Sequence, residues 1–209
     1  MSSGVDNVSV THCTMVNPIQ GVTSWAGSYW EISHNVITDL RTALLSSNSN
    51  AGAGGVGIII GARTDAQVSS NNVLSHNTIS GTFHVVPCED GNHVGAGISL
   101  FGDLLLSEDG TIANNRVVKN KISLVSDCVL PFVPAHGIAL DQNGPGAIID
   151  NAIGFNDLRG TVSQNEQCEV FQIYLSPLGL DNPMNDISRN LGNNRGHGLH
   201  PSVFGPGGN

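Results

Sequence analysis

Two aspartates and a histidine could form a catalytic site in this chain. Asp103 and Asp141 each come shortly after a short apolar segment, and His136 stands just before the second of these segments. If the two segments are neighbouring strands, the three side chains meet in one cleft. Two carboxylates and an imidazole can act as general acid and base on a glycosidic bond. The aspartates could instead cap the strand ends by accepting backbone N–H bonds.

Further polar residues around this cleft are candidates for substrate binding, namely Arg63, Tyr174 and Gln142. They lie in or after the same kind of apolar segment, which reads G-I-x-L or a close variant. The four copies are 57–60, 97–100, 137–140 and 172–175. Alternation along a strand predicts that one residue of each copy points outward and lines a groove. These residues are Ile59, Ser99, Ala139 and Tyr174.

Three of the four cysteines recur at equal intervals, at Cys88, Cys128 and Cys168. A disulfide between Cys88 and Cys128, or between Cys128 and Cys168, would tie neighbouring loops, contribute roughly 4 kcal/mol and indicate an oxidising compartment. Free thiols are one alternative. A zinc site with the histidines of the same loops is another, although the spacing matches no standard zinc motif. Cys13 is predicted to be a packed, inert thiol.

An internal repeat organises the chain. Its copies align on one position, occupied by Cys13, Asn35, Asn72, Asn115, Asn151 and Asn190. Most copies carry a second asparagine five residues later, at Asn77, Asn120 and Asn156. Apolar residues flank both positions at strand-like spacing. Long loops are predicted at about 41–55, 81–95, 123–136 and 160–171.

Repeats of this kind cannot bury their apolar faces alone, but successive coils can bury them by stacking. Strands lie about 4.8 Å apart in a sheet, so equivalent asparagines would stack and hydrogen-bond to one another. The sequence therefore predicts an all-β, right-handed parallel β-helix of about six coils, with long loops on one side. We expect a single domain over 1–209, with repeats over about 5–195 and a C-terminal cap or tail at 196–209.

The copy Asn115-Arg116-Val117-Val118-Lys119-Asn120 has the pattern N-x-[IVL]-x-x-N. This pattern resembles the parallel β-helix repeat family of the pectin-lyase-like superfamily. That family includes pectate-lyase-like enzymes, alginate epimerases and the carbohydrate-binding and sugar-hydrolase repeat group. The resemblance covers nearly the whole chain and implies a polysaccharide or oligosaccharide partner along the G-I-x-L face. Uronate lyases of this fold usually carry Lys, Arg and acidic calcium ligands there. This chain lacks such a row, which argues against a pectate-lyase mechanism.

Charge limits the other partners. The formal net charge is −9, with only eight Lys and Arg residues, so we expect neither nucleic acid nor an anionic membrane surface to bind. The same charge disfavours polyanionic glycans unless a divalent cation bridges them. Calcium is therefore the one cofactor to consider, and no other is expected. Met1 runs directly into polar residues, so no signal peptide is visible, but the family and cysteine pattern favour a secreted or cell-surface protein.

Two classes of function remain open. One is a lyase, epimerase or hydrolase working on a polysaccharide in the groove. The other is a non-catalytic glycan-binding or structural surface module, like part of an adhesin or spike. Trp25, Tyr29 and Trp30 could stack on sugars, or could cover the open end of the solenoid. Uncovered ends could also pair copies into an oligomer.

Overall fold

The structure is a computed structural model that describes residues 4–44, 52–53, 55–62, 67–83, 86–88, 91–93, 95–103, 110–127, 135–143, 147–164, 170–175 and 185–192. The described chain is all-β and contains no helix. Consequently, none of these residues belongs to a helix long and apolar enough to cross a membrane. We number its strands β1 to β23 in chain order.

Most strands belong to four parallel sheets. The six strands of sheet 1 are β1 (Ser9–Thr11), β4 (Glu31–Ser33), β10 (Val73–Ser75), β16 (Arg116–Val118), β20 (Ala152–Gly154) and β23 (Asp186–Ser188). The five strands of sheet 2 are β2 (Thr14–Val16), β5 (Val36–Arg41), β11 (Thr78–Phe83), β17 (Lys121–Ser126) and β21 (Val162–Ser163). The five strands of sheet 3 are β3 (Gln20–Trp25), β8 (Val56–Ala62), β14 (Gly95–Asp103), β18 (Ala135–Asn143) and β22 (Phe171–Leu175). The three strands of sheet 4 are β9 (Val68–Ser70), β15 (Thr111–Ala113) and β19 (Ala147–Ile149).

Two antiparallel hairpins complete the described strands. The first pairs β6 (Ala43–Leu44) with β7 (Gly52–Ala53), and the second pairs β12 (Val86–Cys88) with β13 (Gly91–His93). Both hairpins fall inside segments that the sequence predicted as long loops. The turn regions of the repeat thus contain local strand pairing of their own.

The chain visits the sheets in a fixed order and returns to each one. β15, β16, β17 and β18 run through sheets 4, 1, 2 and 3, and β19 then pairs in parallel with β15. Each return adds one strand beside its predecessor in the same sheet, because parallel neighbours require a crossover rather than a hairpin; sheet 4 receives a strand from only three of the described circuits. This arrangement is consistent with the predicted β-helical solenoid.

Columns of aliphatic side chains form the core between the sheets. In sheet 1, Ile32, Leu74, Val117 and Ile153 stand in one register column, and each is fully buried. Sheet 3 contributes a similar column that includes Ile58, Ile98, Ile138 and Ile173. Gly97 precedes one of these residues because a Cβ there would meet the Gly137 carbonyl oxygen and the Ile122 side chain. The G-I-x-L motif thus reflects close packing between circuits.

Asparagine ladders line two corners, and the membership of each ladder corrects the repeat alignment. One ladder contains Asn72, Asn115, Asn151 and Asn185. The other contains Asn35, Asn77, Asn120, Asn156 and Asn190, with the Cys13 N–H donating to its first member. Asn35 and Asn190 therefore belong with the second asparagines, not with Asn72. The loops vary in length, so spacing alone did not distinguish the two sets.

The ladders satisfy polar groups that the fold buries. Asn120 is 1% exposed, and its side-chain amide donates to Asn156 Oδ1 at 3.0 Å and to the Leu74 carbonyl at 3.0 Å. Its Oδ1 accepts from both the backbone and side-chain nitrogens of Asn77. Burying a side-chain amide costs little free energy only when its polar atoms are hydrogen-bonded in this way. The predicted asparagine hydrogen-bond ladder is confirmed.

Candidate functional site

One residue predicted for catalysis, His136, lies in a small aromatic cluster on sheet 3. Strand register places His136 opposite Phe171 and Ala139 opposite Tyr174. The His136 ring stacks on Tyr174 at a centroid distance of 4.4 Å, with 12° between the ring planes. Phe171 completes the cluster, 5.8 Å from the His136 ring. Two of the predicted site residues, His136 and Tyr174, are thus in direct contact.

Burial changes what His136 can do. The side chain is 8% exposed, and its Nδ1 atom has no hydrogen-bond partner. Burial lowers the pKa of His136 to about 3, because the charged imidazolium would lose its hydration there. The ring is therefore neutral at physiological pH. A neutral, covered imidazole lacks the acidic imidazolium proton that a general acid gives to a leaving group, which weighs against the predicted acid role.

Asp141 lies near this cluster without being buried in it. It is half-buried and stands opposite Phe101 in the sheet 3 register. Burial raises the pKa of Tyr174, and the negative charge of Asp141 raises it further. Asp141 and Tyr174 are therefore electrostatic neighbours, and the tyrosine keeps its proton near neutral pH.

The other predicted site residues are only partly placed. Asp103 pairs with Asn143 in the register, and Gln142 pairs with Gly102, so Asp103 sits two positions beyond the residue opposite Asp141. The side chains of Asp103 and Gln142 lie outside the described residues, as does Arg63 altogether. The structure therefore brings together His136, Tyr174 and Asp141 alone.

Three of the four residues predicted to line an open groove are buried, whereas the fourth, Tyr174, is half-buried. Ile59 is 6% exposed, Ser99 is 7% exposed and Ala139 is 3% exposed. Alternation identified these residues as facing away from the main core, which is consistent with their absence from the large interior cluster. It did not reveal that this outer face is itself covered. The expectation of an accessible G-I-x-L row is corrected accordingly.

The three early aromatic residues do not form one sugar-stacking platform. Trp25 lies over Gly61 and makes an edge contact with Phe101, at 6.0 Å between centroids. Tyr29 is exposed at a corner. Trp30 packs against the main core, and its indole N–H donates to the Val5 carbonyl. The last contact matches the predicted covering of the solenoid end.

The cysteine predictions are mostly left open. The strand that contains Cys88 is described, but its side chain, Cys128 and Cys168 lie outside the described residues. Cys13 is a free thiol and is exposed, contrary to its predicted packing. The reason is its place at the end of the asparagine ladder, in the turn between the edge strands β1 and β2. Among the described residues, no three His, Cys, Asp or Glu side chains are grouped to hold a metal ion.

An open pocket of about 400 Å³ lies on the outer side of sheet 2. The residues that line it are Lys121, Ile122, Ser123, Asp157, Arg159 and Gly160. Arg159 donates two hydrogen bonds of 2.9 Å to the two carboxylate oxygens of Asp157. These bonds, more than any other contact, lower the pKa of Asp157, and Lys121 adds a smaller effect. The pocket thus presents an ionised carboxylate between two cations.

Local backbone geometry forms this pocket. Lys121 and Asp157 are neighbours on adjacent circuits through an isolated parallel bridge. The chain then turns, with the Thr161 N–H donating to the Leu158 carbonyl at 2.9 Å. Gly160 occupies the turn because a Cβ there would meet the Ser123 hydroxyl, which donates to the Gly160 carbonyl. Sequence reasoning missed this pocket, although the charged segment Asp157-Leu158-Arg159-Gly160 offered a signal.

Comparison with known proteins does not assign this chain to a family. No family model matches the chain, and neither a curated protein nor a solved structure matches it.

Proposed function

We propose that this protein is a carbohydrate-binding module of the right-handed parallel β-helix type, with about six coils, that holds a glycan without cleaving it. Such a module would work as a secreted or cell-surface component. The burial of His136 and of the neighbouring strand row supports the non-catalytic alternative. A buried, neutral histidine beside a covered strand face offers little access to a glycosidic oxygen.

The observation that carries the proposal is the pocket on sheet 2. Its volume falls within the range of about 300 to 1,000 Å³ that small-molecule sites occupy. Lys121 and Arg159 can donate to sugar oxygens, while Asp157 and the Ser123 hydroxyl can accept from sugar hydroxyls. Convergent donors and acceptors on an open concave surface suit a sugar unit of a longer chain.

The experiment is a binding screen of neutral and acidic oligosaccharides, combined with assays for new reducing ends and unsaturated products. We expect binding without product. The double variant Lys121→Gln/Arg159→Gln should weaken binding about tenfold or more, through lost charge-assisted hydrogen bonds. Arg41→Gln is the matched control, since it removes an exposed cation that does not line the pocket. Equal glycan binding by the double variant and the control would refute the pocket as the binding site.

Catalysis is the second candidate, and one observation favours it. Asp141 is half-buried rather than covered, and its charge reaches Tyr174. A lyase, epimerase or hydrolase acting along the G-I-x-L face would need this carboxylate. If the product assay is positive in the parent and negative in Asp141→Asn, the enzyme replaces the binding module as the proposed function.

A further inference from the structure

One corner of the molecule carries a continuous column of cationic and aromatic side chains. The column lies between sheets 1 and 2 and takes one residue from each circuit, immediately before the second asparagine ladder. Its members are His12, His34, His76, Lys119, Phe155 and Arg189, which we call the basic ridge. Backbone bonds fix the stacking: for example, the His34 N–H donates to the Ser75 carbonyl, and the Lys119 N–H donates to the Gly154 carbonyl.

The side chains of the basic ridge are exposed, and those at its two ends stack on one another. The His12 and His34 rings lie 5.0 Å apart and within 3° of parallel. The His34 and His76 rings lie 4.8 Å apart and within 4° of parallel. At the other end, the Arg189 guanidinium lies over the Phe155 ring, 5.3 Å from its centroid. The ridge therefore presents ring edges and positive groups at regular intervals along the axis of strand stacking.

Backbone conformation does not explain half of these residues. All six have a positive φ of 55° to 59°. The corresponding corner between sheets 4 and 1 also has positive φ, and there the chain uses Asn7, Tyr29, Asn71, Asn114 and Asp150. Asn, Asp and His tolerate this conformation, whereas Lys, Arg and Phe disfavour it by roughly 1 kcal/mol each. Because these side chains are present despite this conformational cost, we expect them to have a role beyond backbone structure.

Other cations flank the ridge. Arg116 and Lys121 begin the strands on either side of Lys119, and Arg159 lies in the pocket beyond Lys121. Five of the eight Lys and Arg residues thus lie at or beside this corner, although the chain is acidic overall. The acidic groups beside it are Glu31, Asp157 and Asp186, and Asp157 is already paired with Arg159. The local charge is opposite in sign to the net charge.

We propose that the basic ridge binds a linear acidic oligosaccharide along its length. This inference rests on the proposed carbohydrate-binding function and extends its pocket, through Lys121, into a longer site. Successive carboxylates would meet Lys119, Arg189 and the imidazole N–H groups, while ring surfaces contact the apolar faces of the sugars. The spacing of 4.8 to 5.0 Å is comparable with one sugar unit of an extended chain.

The test uses two matched probes with the full chain: a linear 1,4-linked uronic acid hexamer, and the same hexamer with its carboxyls reduced to alcohols. We expect the acidic hexamer to bind about tenfold more tightly or better, with the advantage shrinking as salt rises. The variant His34→Asn/His76→Asn/Lys119→Asn removes ridge groups and replaces them with the residue that the other corner uses, so folding is retained. It should lose this advantage, whereas Arg41→Gln should keep it.

The outcomes separate the ridge from the pocket. If both hexamers bind equally well to the parent and to the triple variant, the ridge proposal is overturned and glycan binding at the pocket stands. If neither hexamer nor any oligosaccharide in the screen binds the parent, both proposals fail. A triple variant that melts as the parent does but no longer prefers the acidic hexamer supports the ridge as a binding site rather than a structural stack.

Discussion

His136 illustrates how burial determines the chemistry of a single residue. Its imidazole stacks on Tyr174 with Phe171 against both rings, and its pKa falls to about 3 because burial disfavours the charged form. In the unfolded chain a histidine takes up a proton near pH 6.5. Between those two values the unfolded state binds more protons than the folded state. Stability is therefore fully present above about pH 6.5 and is lost as the pH falls toward 3.

The first prediction follows from this linkage. Between neutral pH and pH 4, protonation of His136 in the unfolded state should lower the free energy of unfolding by about 3 kcal/mol. This corresponds to the roughly 2.5 pH units between pH 4 and the pKa of an unfolded histidine. His136→Phe keeps an aromatic ring in the stack and should flatten this part of the pH profile. Urea unfolding between pH 4 and pH 7 measures the effect. Tyr174→Phe serves as the control and should leave the slope unchanged, and an unchanged slope in His136→Phe would contradict the account.

At the same scale, the repeat predicted the placement of these residues: His136 and Asp141 lie on β18, and Tyr174 lies on the neighbouring β22. The G-I-x-L copies specified the register, because each copy occupies the same place in its circuit. Accessibility could not be inferred in the same way. Alternation says which side of a strand a residue faces, but the burial of Ser99 and Ala139 depends on what else packs over that face.

At the scale of the strands, the asparagine ladders connect successive circuits and stabilise their stacking. Each buried amide links one circuit to the next through its side chain and to a strand end through a backbone carbonyl. The sequence separated two asparagine positions but placed Asn35 and Asn190 in the first set, and it did not identify Asn185. Trp30 occupies the first-ladder position in its circuit, and variable loops hide the true repeat length. Local similarity therefore assigned Asn35 to the wrong corner.

The element-scale prediction compares one substitution at two asparagines. Asn120→Asp places an oxygen where the amide donates to Leu74 and Asn156, and it buries an unpaired charge. We expect a loss of about 3 kcal/mol or more. Asn114→Asp is the matched control, because Asn114 is exposed and Asp150 already fills the equivalent position in the next circuit. It should change stability by less than about 0.5 kcal/mol. Similar losses in both variants, measured by thermal or urea unfolding, would refute the ladder's role.

At the scale of the whole molecule, charge is distributed unevenly. The net charge of −9 predicted poor binding of acidic glycans, yet five of the eight Lys and Arg residues gather at or beside one corner. Composition averages over the surface, so it could not reveal this segregation. The signal was present in the residues that precede the second asparagines, such as His34, His76 and Lys119. The sequence pattern could be interpreted only once the structure showed that these residues lie above one another in successive circuits.

The most direct measurement of the central claim is amide hydrogen exchange of the full chain with and without a bound uronic acid hexamer. Our account predicts added protection at the corner between sheets 1 and 2, around His76, Lys119–Lys121 and Asp157–Gly160. Protection there, with no change at 136–141 or 171–175, would locate the glycan on the basic ridge and its pocket. Protection confined to 136–141 and 171–175 would contradict the account and return the site to the G-I-x-L face.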